Sequence, residues 1–217
     1  MAIHGHLGRS TYRTPRALPR VYKEVAQQLG FFAQAELTLA RTRAGDIRYL
    51  PGVFSAIEAT RLFERLLAIA PWSKETMRMY DKMVEVPRLV AWYRDPEPLP
   101  AELQMVRERV GALLSVKFNA VSLNYYRDGN DSVAWHSDHD EELTARPVVA
   151  LLSLGAIREM LLRTKVLPRR QLRCDLEPGS ILVMRGDVQE HWEHHIPKVH
   201  RPTSARISVA LRTKISP

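Results

Sequence analysis

About eight short stretches of alternating apolar and polar residues follow Lys117, and they limit the fold more than any other feature of the sequence. Successive side chains of an extended strand point to opposite faces, so such alternation indicates half-buried strands. Turn-forming residues separate the stretches, which is typical of a β-sandwich or jelly roll. The predicted strands are Ala120–Tyr126, Val133–His136, Val148–Leu154, Ile157–Arg163, Gln171–Cys174, Ser180–Met184, Glu190–His195 and Arg206–Thr213.

The residues before this point indicate helices, which gives the chain an α+β order. Helical spacing predicts one helix from Val21 to about Arg43. A second follows a capping box of Ser55 and Glu58, and we expect it to bury Ile57, Leu62, Phe63, Leu66, Leu67 and Ile69. A third starts near Pro100, with these residues pointing inward: Leu103, Val106, Val110, Leu113 and Leu114.

Met77–Tyr93 alternates loosely and is interrupted at Val86-Pro87-Arg88. We therefore predict short strands and an exposed loop there. The proline-rich stretch Asp95–Pro100 is expected to be a linker.

The net charge of +8 and a pI near 9.9 predict a polyanionic partner, nucleic acid before membrane. Residues 1–20 carry four arginines and no acidic residue, so we expect a basic arm that contacts phosphates, with an organellar transit peptide as the alternative. No apolar run approaches the roughly 18 residues of a membrane helix. The single cysteine, Cys174, excludes an intramolecular disulfide and suits a reducing compartment. We expect no secretion signal, and a cytoplasmic location in a bacterium or a nuclear one in a eukaryote.

A His-x-Asp pair, His136 and Asp138, lies at the end of the second predicted strand. Residues i and i+2 share a strand face, so the pair can hold one metal ion. Together with a distant histidine it would form the facial triad of non-haem Fe(II) oxygenases, which leaves coordination positions open. Composition alone allows His191, His194 or His195 as the third ligand, and an exposed polar strand end is the alternative for the pair.

The last predicted strand places Arg206 and Arg212 on one face with Ser208 and Ala210. If this face is turned outward, it is a basic surface strand. If it is turned inward, two buried guanidinium groups require anionic partners, and a small dicarboxylate would supply them. A metal triad beside such a clamp indicates a 2-oxoglutarate-dependent oxygenase.

Several short sequence blocks occur along the chain in the same order as in a known protein family. They are Val86-Pro87-Arg88, Phe118-Asn119 through Asn124-Tyr125-Tyr126-Arg127, Asp131-Ser132-Val133 with Trp135-His136-Ser137-Asp138, Leu152-Ser153-Leu154-Gly155-Ala156, Pro178-Gly179-Ser180, Trp192-Glu193-His194-His195-Ile196-Pro197-Lys198, and Arg206 to Arg212. Over about residues 75–215 the chain resembles the AlkB family of Fe(II)/2-oxoglutarate-dependent nucleic-acid dealkylases, particularly the branch that repairs double-stranded DNA.

The resemblance implies a double-stranded β-helix, or jelly roll, with N-terminal helices packed on one side. It implies Fe(II), 2-oxoglutarate and O2 as cofactors, with the iron ligands and catalytic residues His136, Asp138 and His194. The residues implied to hold 2-oxoglutarate are Asn124, Tyr126, Arg206 and Arg212. The implied reaction is oxidative demethylation of bases such as N1-methyladenine and N3-methylcytosine in DNA, with RNA as a second candidate. It releases formaldehyde and converts 2-oxoglutarate to succinate.

Substrate contacts are implied as well. Asp140 matches an acidic residue that reaches the damaged base, and Arg88 is a candidate for steadying the flipped nucleotide. Tyr80 is a candidate wedge that fills the gap in the duplex. After the Pro-Arg segment, relatives carry a longer loop that covers the base, and in this chain that loop is short or absent. Either Trp92 or Tyr93 then provides its stacking contact, or the pocket is more open.

The loop after the third iron ligand is the implied contact for the nucleic-acid backbone, through Lys198, His200 and Arg201. A solvated basic turn is the alternative reading. We divide the chain into a basic arm at 1–20, helical support with nucleotide-recognition loops at 21–116 and a jelly-roll dioxygenase core at 117–217, within one structural domain and a monomer. Competing functions are an Fe(II)/2-oxoglutarate hydroxylase of a protein or small molecule, and a non-catalytic nucleic-acid-binding jelly roll.

Overall fold

A computed structural model describes residues 35–79, 82–94, 97–138 and 143–215. The predicted arm, most of the helix predicted from Val21, Tyr80 and Asp140 lie outside these ranges. Within them the chain forms α1 (Ala56–Ile69), α2 (Ala101–Leu114) and the short α3 (Val188–His191). The strands are β1 (Leu37–Arg41), β2 (Asp46–Leu50), β3 (Ser73–Met79), β4 (Lys82–Arg94), β5 (Ala120–Tyr126), β6 (Val133–His136), β7 (Val148–Gly155), β8 (Arg158–Thr164), β9 (Gln171–Leu176), β10 (Ile181–Arg185), β11 (Trp192–Ile196) and β12 (Arg206–Arg212).

The described strands pair antiparallel in two sheets, which is the arrangement of the predicted jelly roll. The larger sheet has the order β1-β2-β10-β7-β12-β5-β4-β3, and the smaller has the order β6-β11-β8-β9. The larger sheet therefore crosses the boundary drawn at 116/117. One apolar cluster joins α1 and α2 to a face of this sheet through residues such as Leu66, Val106, Leu123 and Val209. A second cluster lies between the two sheets and includes Ile47, Leu151, Leu162, Leu176 and Ala210.

The two longer helices begin close to the predicted positions but bury narrower stripes than the sequence suggests. The capping box before α1 is present, because the amide of Glu58 donates to Ser55 Oγ and the amide of Ser55 donates to Glu58 Oε2. The expectation that Ile57, Ile69 and Leu113 point inward is wrong, since their exposed fractions are 66%, 38% and 50%. Each lies to the side of a stripe that repeats every three to four residues.

Two local predictions are corrected by strand pairing. Leu37–Arg41 was expected to be the end of a helix, but it forms β1 and pairs with β2. The expected break at Val86-Pro87-Arg88 is absent, since β4 continues through it. Pro87 is tolerated because it lies at a register shift opposite β3 and before the first residue that pairs with β5.

Candidate active site

The three predicted metal ligands meet at the edge of the smaller sheet. β6 and β11 are neighbours, and His136 pairs directly with His194, with 4.2 Å between the ring centroids. One ligand atom from each of His136, Asp138 and His194 lies within 4.8 Å of the others. Among the alternatives for the third ligand, His191 is exposed and lies on α3. The strand that was predicted to start at Glu190 therefore starts only at Trp192. Two remote segments thus form one cluster with the composition of a facial triad.

Asp138 and His194 are held in the protonation states that a metal ion requires. Burial raises the pKa of Asp138, but electrostatic interactions, with Arg212 first and the two neighbouring histidines after it, outweigh this effect and bring that pKa to about 2. Burial lowers the pKa of His194 to about 3, and His136 adds to this effect. Asp138 Oδ1 accepts from Arg212 Nη2 at 3.0 Å, whereas the buried Oδ2 has no hydrogen-bond partner. Such an orphaned carboxylate oxygen beside two imidazoles fits a divalent cation.

The arginine face of β12 is turned inward, as the second of the two sequence alternatives required. Arg212 donates through Nη1 to Ser122 Oγ at 2.5 Å and through Nη2 to Asp138. Arg206 is 1% exposed, and its Nε donates to Ser153 Oγ at 3.0 Å. Both Nη atoms of Arg206 are buried without a hydrogen-bond partner. Burial lowers the pKa of this guanidinium to about 10, so it stays charged at neutral pH and fits a bound carboxylate.

Asn124 and Tyr126 lie on the same inward face of β5, beside these arginines. Asn124 Oδ1 accepts from Arg88 Nε at 2.7 Å, so the amide presents its N–H donors on the other side. Tyr126 is 3% exposed, and its ring centroid lies 5.2 Å from the guanidinium carbon of Arg206. Asn124, Tyr126, Arg206 and Arg212 therefore supply polar groups on neighbouring strands of one sheet face, and Arg212 connects this group to Asp138.

The same chemistry appears in comparisons with known proteins. Residues 46–212 match the 2OG-Fe(II) oxygenase superfamily. The chain is 32% identical over 199 residues to alpha-ketoglutarate-dependent dioxygenase alkB homolog 3 of Mus musculus, which covers 82% of this chain and 69% of that protein. It is 30% identical over 207 residues to DNA oxidative demethylase ALKBH2 of Bos taurus. This match covers 84% of this chain and 74% of that protein. The chain belongs to the AlkB family.

As a member of this family, the protein is an Fe(II)- and 2-oxoglutarate-dependent dioxygenase, and its cofactors are those predicted. A solved structure titled "The structure of OsALKBH1" shares the fold, with a TM-score of 0.56 at 16% identity. The match covers 80% of this chain and 100% of that one. No helix among the described residues is long and apolar enough to cross a bilayer.

The residues proposed for substrate contact in this AlkB-family chain are spread over several environments. Trp92 is 55% exposed and pairs with Ser122, which places it on the metal-facing side of the larger sheet. Tyr93 packs instead against the helix-side cluster, on the opposite face. A cavity of about 240 Å³ is lined by both Trp92 and Tyr93, together with Ser122 and Arg212. Of the predicted pair, Trp92 is the residue on the side of the sheet that carries Ser122 and Arg212.

Arg88 does not project freely from its loop. It is bonded to Asn124, and its Nη2 lies 3.6 Å from Glu75 Oε2. The exposed loop after β11 presents Lys198, His200 and Arg201 to solvent. Tyr80 and Asp140 lie outside the described residues, so their roles stay predictions.

Two buried residues near the site were missed by the sequence analysis. Arg158 is 1% exposed and donates to the carbonyl oxygens of three residues in two loops, Asp128, Asp131 and Pro197. A signal existed, because alternation in β8 places Arg158 on the buried face of Met160 and Leu162. Gln189 is also buried and contacts the backbone of Asp138. Nothing in its local sequence indicates that contact.

Proposed function

We propose that this protein removes N-linked methyl groups from damaged bases in nucleic acid, with DNA as the first substrate and N1-methyladenine and N3-methylcytosine as the target lesions. The main support is the cluster of His136, Asp138 and His194, together with the buried guanidinium of Arg206, whose two Nη atoms lack a hydrogen bond of good geometry. The names of the relatives support nucleic acid as the substrate class, since ALKBH2 of Bos taurus is named a DNA oxidative demethylase.

In this proposal His136, Asp138 and His194 hold Fe(II). Together with 2-oxoglutarate and O2, the iron supplies an oxidation that turns an N-methyl group into an N-hydroxymethyl group, which leaves as formaldehyde while 2-oxoglutarate becomes succinate and carbon dioxide. The two Nη atoms of Arg206 would bind a carboxylate of 2-oxoglutarate, because they are buried and lack a hydrogen bond of good geometry. Arg212 keeps Asp138 ionised and oriented, and Asn124 and Tyr126 complete the pocket.

The damaged base must leave the duplex stack or be unpaired before it can reach the site. In our proposal the exposed ring of Trp92 stacks on that base at the mouth of the cavity, replacing part of the base-covering loop. A methylated adenine or cytosine of this type carries positive charge, so the carboxylate of Asp140 would favour it. Lys198 and Arg201 contact phosphates, and Tyr80 fills the gap left by the flipped base.

The test is turnover on oligonucleotides that carry one N1-methyladenine or N3-methylcytosine. Formaldehyde, succinate and the repaired base are measured together on single-stranded DNA, duplex DNA and RNA. We expect equal amounts of formaldehyde and repaired base. Succinate formed without repair on all three substrates would contradict the proposal and favour a protein or small-molecule substrate.

His136→Ala is the matched control for the chemistry. We expect it to abolish turnover while leaving oligonucleotide affinity nearly unchanged, because phosphate contacts dominate affinity. Trp92→Ala should raise the KM for the oligonucleotide about tenfold, the value of one base–aromatic stack, without changing the KM for 2-oxoglutarate. An unchanged oligonucleotide KM would exclude Trp92 as the stacking residue.

A further inference from the structure

Gln189 lies on α3, in the segment that leads into His194, and is only 4% exposed. Its Oε1 accepts a hydrogen bond from the backbone amide of Asp138 at 2.8 Å. Its Nε2 donates to Met184 Sδ at 3.5 Å. Buried polar side chains are normally hydrogen-bonded, and among the described residues Gln189 makes its one short side-chain hydrogen bond to the backbone of Asp138.

The position of Asp138 explains why this bond matters. β6 ends at His136, so the amide of Asp138 lies beyond the paired part of the strand. A buried amide requires an acceptor, and Gln189 provides it in place of a neighbouring strand. The carboxylate of Asp138 is held separately, by Arg212 on Oδ1. The backbone and the side chain of this ligand therefore have different tethers.

Gln189 is itself fixed by the segment around it. Lys165 Nζ donates to the carbonyl oxygen of Gln189 at 2.8 Å, and the amide of Lys165 donates to the carbonyl oxygen of His191 at 2.9 Å. Ser137 Oγ donates to the carbonyl oxygen of Trp192 at 3.2 Å. The stretch 189–192 is thus bonded to the segment that carries Asp138 and continues directly to His194.

We propose that Gln189 is a positioning residue that sets the backbone of Asp138 for metal binding. It links the two segments that supply the metal ligands, and it acts through Asp138 without contacting the metal. The inference depends on the metal site alone and is independent of the nucleic-acid substrate proposed above.

The test measures Co(II) affinity of EDTA-treated protein by titration, together with urea unfolding of the metal-free protein. Gln189→Met keeps the length and volume of the side chain but removes the acceptor. We expect Co(II) to bind about tenfold more weakly, the usual effect of losing a residue that orients a metal ligand. Gln189→Glu keeps an acceptor but buries a charge, so we expect lower stability with Co(II) affinity within about threefold of wild type and an unchanged Co(II) absorption spectrum.

This opposite ordering separates positioning from a general structural role. A purely structural role predicts that the glutamate variant is the worse of the two in both measurements. Tyr49→Phe is the matched control, because it removes another buried side-chain acceptor of a backbone amide: the Tyr49 hydroxyl accepts from the amide of Glu177 at 3.3 Å, away from the metal ligands. Wild-type Co(II) affinity in Gln189→Met, or an equal loss in Tyr49→Phe, would overturn the proposal. If Gln189→Met does not fold, the test rests on Gln189→Glu, and a loss of Co(II) affinity in that variant would overturn the proposal.

Discussion

Arg158 and Arg206 are alike in burial and setting but differ in their hydrogen bonds. Both are 1% exposed, and their guanidinium carbons lie 5.6 and 5.2 Å from the ring centroid of Tyr126. Arg158 donates to three backbone carbonyl oxygens, at 3.0, 2.9 and 2.6 Å. Arg206 donates from Nε to Ser153, and its two Nη atoms lack a hydrogen bond of good geometry, although the Tyr126 side chain contacts the guanidinium.

From this difference in hydrogen-bond partners we infer that Arg158 and Arg206 serve different purposes, stability for the first and anion binding for the second. Removing a guanidinium from water is costly unless its N–H groups find acceptors. Arg158 finds acceptors for Nη1 and Nη2 in the loops at 128–131 and after β11, and only its Nε lacks one, so its side chain links the loops next to β6 and β11. The Nη atoms of Arg206 lack such acceptors, so part of its cost is offset only when an anion binds. We therefore expect Arg158 to contribute mainly to stability and Arg206 mainly to 2-oxoglutarate binding.

Arg206→Met gives the largest expected effect on this contrast. Loss of one partner from a buried, hydrogen-bonded charge pair costs about 2–5 kcal/mol, so the KM for 2-oxoglutarate should rise about a hundredfold or more. The unfolding free energy of the ligand-free protein should stay level or rise, since a poorly solvated charge is replaced by an apolar chain. Succinate formation against 2-oxoglutarate concentration and urea unfolding measure the two quantities. A large loss of stability with an unchanged KM would reverse the assignment.

Arg158→Met should show the converse. Its three carbonyl acceptors lose their donor, and an unsatisfied buried group costs about 1–3 kcal/mol, so the unfolding free energy should fall by about 3 kcal/mol or more. The KM for 2-oxoglutarate of the folded fraction should change little. Arg158→Lys keeps the charge but cannot reach all three acceptors, so urea unfolding should place it between wild type and the methionine variant.

Tyr126→Phe sharpens the comparison because it keeps the ring beside both arginines and removes only the hydroxyl. We expect about a tenfold rise in the KM for 2-oxoglutarate, the value of one hydrogen bond to a charged group, with stability changed by less than about 1 kcal/mol. The same two measurements apply. A stability loss as large as that of Arg158→Met would mean that the hydroxyl serves the scaffold.

The contrast also shows what the sequence could predict. The bounds of β5 and β6 and the shared face of Arg206 and Arg212 on β12 follow from alternation along a single strand, and the structure matches them. Whether that face is turned inward could not be decided from the strand alone. The pair of His136 and Asp138 obeys the same local rule, whereas His194 was selected as the third ligand only through the family resemblance. Whether an arginine is partnered depends on loops remote in the chain, so Arg158 and Arg206 could not be told apart. Three further features also depend on residues remote in the chain and could not be predicted from a local pattern. They are the strand β1, the inclusion of Pro87 in β4, and the hydrogen bond from the Asp138 amide to Gln189.

The smallest expected effect lies in the helical layer, away from both arginines, where Glu58 closes the capping box of α1. Its bond from the Ser55 amide, together with Arg109, lowers its pKa from 4.5 to about 2. Because the folded pKa lies below the unfolded one, Glu58 stabilises the protein above about pH 4.5, and the gain is lost as the pH falls toward 2. The side chain is 42% exposed, so screening limits the loss in Glu58→Gln to about 1 kcal/mol or less at pH 7. Urea midpoints of wild type and variant should converge between pH 4.5 and 2.5, with turnover at pH 7 unchanged. A stability difference between wild type and Glu58→Gln that stays constant with pH would show that the missing carboxylate charge is not the cause of the difference.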